Sequence, residues 1–268
     1  MLENIGIIFD EGPIARCLVE IFKREKIALN ELIYLGKRNI FPKNFYINFN
    51  SRYINSKPLK YLNNLELSNF IQEVEKYFDL GPNFFTYAYS SKNLKECANS
   101  FYYVKNKNVN SQELMSLILN IKSNFLFNSG KQIYREILNS EKKFLHIHPA
   151  ILPDIKGADG SLWNIKKRNS FGASLFIINK NIDEGEIIFK KELKIKKFNL
   201  NNKLSNHFYD IWFSFIDPAI RCYVLKQFIK TKKNSNNTIK NIFKGEYFSY
   251  MDIKLRQTIL KSILSCNE

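Results

Sequence analysis

Seven short apolar runs, separated by stretches of helical spacing, constrain this chain more than any other feature. The first, "NIGIIF" at 4–9, ends in Asp10-Glu11-Gly12-Pro13. That pattern predicts a buried strand, a tight turn and a helix with Pro near its first position. "PIARCLVEIFKREKI" then carries helical spacing through Ile14, Cys17, Leu18 and Ile21-Phe22, and "ELIYLG" at 31–36 is a second strand. Strand, helix, strand is the opening of a doubly wound α/β domain. It lacks GxGxxG, so a dinucleotide site is not supported.

The alternation continues. "LELSNFIQEVEKYF" at 65–78 reads as an amphipathic helix, "FYYVK" at 101–105 as a strand, and "SQELMSLILNI" at 111–121 as a helix with a Ser cap. "NFLFN" at 124–128 is a strand, after which Ser129-Gly130 opens a helix to about Leu138. "FLHIH" at 144–148 follows. "GASLFIIN" at 172–179 and "EIIFKKELKI" at 186–195 flank the turn "KNIDEG". Residues 37–62 are polar, aromatic and irregular. From Leu200 the chain is mainly helical, with a break at Pro218, a polar linker at 231–237, a short extended piece and a last helix. The expected fold class is therefore α/β, a doubly wound and mostly parallel Rossmann-like sheet. Its α/β domain spans residues 1–195, and residues 196–268 form a smaller, mainly helical extension.

Composition excludes several classes. The four cysteines, Cys17, Cys97, Cys222 and Cys266, are far apart in sequence and form no CxxC. That argues against a disulfide framework or a zinc knuckle. No run reaches the ~20 apolar residues of a membrane span, and the first apolar run is short for a signal peptide. A cytoplasmic protein is expected. The net charge of +16 invites a nucleic-acid reading. Only 8 of the 41 basic residues are Arg, however, and the lysines are spread over the whole chain with no Arg clusters. Nucleic acid is not the expected partner. Attraction for anionic small molecules remains.

Two of the three histidines stand in "FLHIHPAILPDIKG", residues 144–157. On a strand, His146 and His148 share a face. HxH at a strand end is a metal motif, but such a site needs further ligands. Only His207 remains among the imidazoles, with Asp154, Asp159 and Asp183 as conceivable carboxylates.

The segment from Leu145 to Ile188 resembles the folate-dependent formyltransferases, the superfamily of glycinamide ribonucleotide, methionyl-tRNA and amino-sugar N-formyltransferases. Their signature runs approximately N-x-H-P-S-x-L-P-x-x-R-G, a Trp, a G-x-x and an I-D-x-G turn. Here it stands as "HIHPAILPDIKG", Trp163 and "FGASLFIINKNIDEGEII". His148-Pro149, Leu152-Pro153, Gly157, Trp163 and Ile182-Asp183-x-Gly185 match in order. Among the departures, His146 replaces the Asn, Phe176 replaces a His that many members have, and Lys156 replaces an Arg.

The resemblance implies transfer of a formyl group from N10-formyltetrahydrofolate to a primary amine, without a metal. It implies that His148 is the catalytic histidine and that Asp183 holds it and stabilises its protonated form. His146 takes the place of the Asn that donates to the formyl oxygen, a role that needs a ring N–H directed at the oxyanion. Phe127, Asn128, Ser129 and Gly130, with Asn179, Ile182 and Asp183, are expected to border the folate. The acceptor is inferred by elimination. The helical tail lacks the β-rich domain of tRNA-formylating members, and purine enzymes end soon after the core. A nucleotide-linked amino sugar remains, and a homodimer is left open. Alternatives are a non-catalytic or altered binding member and a formyltetrahydrofolate hydrolase.

Overall fold

The computed structural model describes residues 4–36, 50–51, 57–90, 92–200, 202–232 and 245–265. Seven strands form one sheet: β1 Ile5–Asp10, β2 Glu31–Leu35, β3 Ser100–Val104, β4 Phe125–Asn128, β5 Lys143–His148, β6 Ser170–Ile177 and β7 Ile187–Lys194. Their order is β7-β6-β5-β4-β1-β2-β3. The first five run parallel. The last two are antiparallel additions at one edge. This is the mostly parallel α/β sheet expected from the alternation of apolar runs.

The apolar runs are strands because both faces of the sheet are covered. In β1, Ile7 and Phe9 enter one hydrophobic cluster and Ile8 enters the other, as a period of two requires. The larger cluster is filled from helices α1 Pro13–Arg24, α2 Ser68–Tyr77 and α3 Phe84–Tyr89. The smaller one is closed by α4 Gln112–Asn120 through Leu114 and Ile118. Ser111 caps α4 by accepting the Leu114 N–H at 3.3 Å, as its sequence predicts.

One expected helix is absent. Residues 131–135 form no helix, and a 3₁₀ turn follows at Glu136–Ser140. Side chains hold this backbone against the neighbouring loop. Gln132 accepts from Val109 N and donates to Lys107 O, while Asn110 donates to Ile133 O and accepts from Arg135 N. Tyr134 is buried beneath against Phe144. Most of the irregular stretch predicted at 37–62 lies outside the described residues, as does the linker beyond residue 232.

After β7 the chain turns helical. Helix α5, Gly160–Arg168, stands between β5 and β6; beyond β7, Phe208–Ile211 leads through a π-helical turn, Trp212–Ile216, into α6 Asp217–Lys232. Helix α6 packs on α1 and β6. Its Ile220, Val224, Leu225 and Phe228 share the cluster of Ile7, Leu145 and Ile147, so packing crosses residue 195 without a break. Glu246–Phe248 then pairs in parallel with Ile155–Gly157, and α7 Ile253–Ile263 ends the fold. Trp163 serves this closure: it stacks on Phe248 at 4.5 Å and donates to Ser249 O at 3.0 Å.

Candidate active site

Pairing between β4 and β5 stops at Phe127↔Leu145. Beyond it the two strands part at their C-terminal ends, where open α/β sheets leave a crevice. His146 and His148 stand on this unpaired stretch and face the same way. The crevice opens into a cavity of about 340 Å³. Asn128, His146, His148, Asp183, Asp217 and Arg221 are among the residues that line it.

His148 is closed in, only 3% exposed. Its Nε2 lies 3.0 Å from the carbonyl oxygen of Ile155, and its Nδ1 lies 3.4 Å from Asp183 Oδ2. Both neighbours are acceptors. The neutral ring can donate to one of them and the imidazolium to both. Burial holds the His148 pKa below the ordinary value, and the Asp183 carboxylate works in the opposite direction. Gly160, at the start of α5, lies against this ring: a Cβ there would stand 2.9 Å from Nε2.

Asp183 is aimed by its turn. Its backbone is left-handed, with φ 55°. Its Oδ2 accepts the Gly157 N–H at 2.8 Å. Gly157 itself has φ 95°, and a Cβ there would collide with the carbonyl of Phe248. Lys156, in place of the expected Arg, forms a 2.8 Å ion pair with Glu184 and so ties the same two segments together. That pairing lowers the Glu184 pKa.

His146 is held differently. Its Nδ1 lies 3.3 Å from the Asn128 carbonyl oxygen and 3.5 Å from Asn128 Nδ2. The amide orientation is set by Gly130, whose N–H donates to Asn128 Oδ1 at 2.8 Å. The shorter contact assigns the proton to Nδ1 and leaves Nε2 as an acceptor. The donor role expected of His146 needs the other tautomer, with Nδ1 accepting from the amide at the longer distance. Burial, reinforced by the charge of Arg221, pushes the His146 pKa down to about 4. Phe176 lies opposite on β6, with its ring 5.9 Å from the imidazole and edge-on to it.

The other expected site residues divide. Asn128, Gly130, Asn179, Ile182 and Asp183 line the cavity with both histidines. Phe127 does not: its side chain is in the core, edge-on to Phe22 at 5.0 Å. Ser129 is a clasp between strands, accepting from Asp10 N and donating to Ile8 O. It lines a neighbouring cavity at the β1–α1 turn instead. Asn179 shapes its own loop through bonds to Asn181 N and Glu184 O. His207 lies away from the cavity, exposed and near Tyr61. Among the described residues, no three His, Cys, Asp or Glu side chains are grouped as a metal site requires.

The sequence reading missed the wall supplied by the C-terminal part. Asp217 and Arg221 stand on α6 and form a buried i,i+4 pair, Nε to Oδ1 at 2.9 Å. Arg221 also donates to the carbonyl of Ile147, between the two histidines. Tyr247 and Tyr250 reach the cavity from the last extended piece. The available signal was two opposite charges four residues apart in an otherwise apolar helix.

Residues 88–211 match the profile of the family described as Formyl transferase. The matched stretch holds both histidines of the cavity and Asp183, and it is similar to that family. No curated protein matches the sequence. Several solved structures are similar to it. A 4-N formyltransferase from Francisella tularensis is 17% identical, with a TM-score of 0.49, covering 97% of this chain and 86% of that one. A sugar N-formyltransferase from Shewanella sp. is 15% identical, with a TM-score of 0.47 and coverage of 97% and 87%. A phosphoribosylglycinamide formyltransferase from Streptococcus pneumoniae is 14% identical, with a TM-score of 0.48 and coverage of 87% and 99%. Among the described residues, the chain has no helix long and apolar enough to cross a membrane.

Proposed function

We propose that this protein is a formyltransferase that moves the formyl group of N10-formyltetrahydrofolate to a primary amine carried on a nucleotide-linked sugar. The observation that carries the reading is the His148–Asp183 pair set beside His146 and Asn128 in one cavity at the parting of β4 and β5. Attack of an amine on a formyl carbon forms one C–N bond and a tetrahedral oxyanion. Collapse breaks the bond to N10, which leaves with a proton. The reaction needs an acceptor for the amine's proton, a donor for the oxyanion and a charge to support it. In the assigned tautomer His146 Nε2 is the acceptor. The Asn128 amide, fixed by Gly130, is the nearest side-chain donor. His148, between two acceptors, supports the positive charge of an imidazolium.

The folate would lie along Asn128, Gly130, Asn179 and Ile182. The acceptor class rests on the mainly helical part that follows the sheet and on a basic composition suited to a diphosphate. Calorimetry with 5-formyltetrahydrofolate, a stable stand-in for the donor, is the test. Saturable heat is expected. Its absence at millimolar ligand overturns the reading. Mass spectrometry of candidate amino-sugar nucleotides incubated with enzyme and donor identifies the acceptor.

A further inference from the structure

Three carboxylates line the cavity: Asp159, Asp183 and Asp217. Two of them have their work. Asp159 accepts from Tyr209 through Oδ1 and from Met251 N through Oδ2. Asp183 Oδ2 accepts from Gly157 and faces His148. Asp217 differs. Its Oδ1 takes the Arg221 guanidinium, but its Oδ2 is buried with no hydrogen-bond partner among the described residues. The whole residue is 1% exposed. A buried carboxylate oxygen without a donor is costly, and native proteins rarely leave one so.

The place of this carboxylate is set. Arg221 ties Asp217 to the carbonyl of Ile147, and Ile147 is the residue between the two histidines. The wide turn at Trp212–Ile216 immediately precedes Asp217, and such π-helical turns are common at functional sites. The Arg221 charge is matched by Asp217 itself, so a group that reaches Oδ2 meets a carboxylate already neutralised on one side only. Asp217 lines the cavity, and Oδ2, buried in this structure, would meet a donor there once the carboxylate turns toward the opening. The chemistry that suits a buried carboxylate oxygen is a compact cation with several N–H donors.

We propose that Asp217 Oδ2 is the ammonium subsite of this enzyme, the atom that receives the amino group of the acceptor before transfer. The inference rests on the formyl-transfer reading above and adds the residue that selects an amine over a hydroxyl. A primary amine is mostly an ammonium ion at neutral pH. Asp217 would hold it by a charge-assisted hydrogen bond on the histidine side of the cavity. Selectivity follows because a hydroxyl brings no charge and one donor in place of three.

The test uses the full-length protein and small probes, so it does not depend on knowing the sugar. Methylammonium chloride, methanol and tetramethylammonium chloride are titrated at constant ionic strength, and the ring signals of His146 and His148 are followed by NMR. Methylammonium is expected to give saturable shifts. Methanol, without the charge, and tetramethylammonium, without an N–H, are expected to give none. Asp217→Asn should weaken methylammonium by about tenfold or more, the loss expected for a hydrogen bond to a charged group. Equal response to methylammonium and methanol overturns the proposal and leaves Oδ2 to a water molecule. Equal affinity in the native protein and Asp217→Asn places the contact elsewhere and overturns it as well. If Asp217→Asn does not fold, the selectivity of the native protein decides alone. Binding of 5-formyltetrahydrofolate in the same samples separates the two readings: lost folate binding with intact ammonium selectivity breaks the first, and the reverse breaks the second.

Discussion

The two sides of the histidine strand are built on opposite plans. On one side, His148 is enclosed between a carbonyl and a carboxylate, and its partner Asp183 is itself held by Gly157. On the other, His146 Nδ1 meets the amide and carbonyl of Asn128 at longer distances, and its Nε2 has no hydrogen-bond partner among the described residues. The first side sets a carboxylate against the effect of burial, and the second sets a guanidinium beside it. Two residues apart on one strand, the same imidazole is prepared for different work. What distinguishes them is the partner each side chain meets, since burial lowers the pKa of both.

The largest expected effect falls on the closed side. His148→Ala should reduce turnover by about 10³ or more while 5-formyltetrahydrofolate still binds. Asp183→Asn should follow at about 10²–10³, because an amide keeps the shape and loses the charge that supports an imidazolium. Single-turnover rates with the identified acceptor measure both. Near-native turnover in either variant would erase the distinction between the two sides.

His146 comes next. His146→Ala should lose about 10² in turnover, within the range for general base catalysis. His146→Asn should stay close to the Ala variant, because an amide has no basic nitrogen. Recovery in His146→Asn would show instead that the position supplies an N–H to the oxyanion, as the family resemblance implies, and would reverse the tautomer assigned from Asn128.

The pH dependence of stability gives a smaller signal. The His146 pKa is about 4 in the folded protein and near 6.5 in an unfolded chain. The unfolded state therefore binds the proton first. This residue's contribution is complete above about pH 6.5 and is lost as pH falls toward 4. The melting temperature of His146→Asn should fall less over that interval than that of the native protein. An equal fall in both would mean that the ring is not held neutral. The smallest effect is expected at Gly160, where Gly160→Ala crowds His148 Nε2. Turnover should drop by about tenfold with little change in folate binding, because a displaced catalytic group costs rate.

How far the sequence carries differs along the chain. The strands were legible because each is apolar across both faces, as Ile5 to Phe9 shows. The pairing of His148 with Asp183 was legible only through the ordered motif, since 35 residues separate them. The stretch 131–135 misled, because Ser129-Gly130 imitates a helix start. What prevents the helix is the set of long-range bonds from Gln132 and Asn110, which no local pattern records. Asp217 and Arg221 were passed over for a similar reason. A charged pair on a helix usually faces water, and its burial here follows from where α6 lands on β5 and β6.

The parallel pairing of Glu246–Phe248 with Ile155–Gly157 has a bearing on biosynthesis. That pairing brings the tail to the loop whose Gly157 N–H aims Asp183 at His148. Arg221 meanwhile seals the parted strand at Ile147. A chain still on the ribosome can complete its seven-stranded sheet once β7 has emerged. It then carries both histidines without their full surroundings until some fifty further residues are released. Synthesis at roughly 5–20 residues per second makes that an interval of seconds. The surroundings of the two histidines are thus completed late in the chain's own translation.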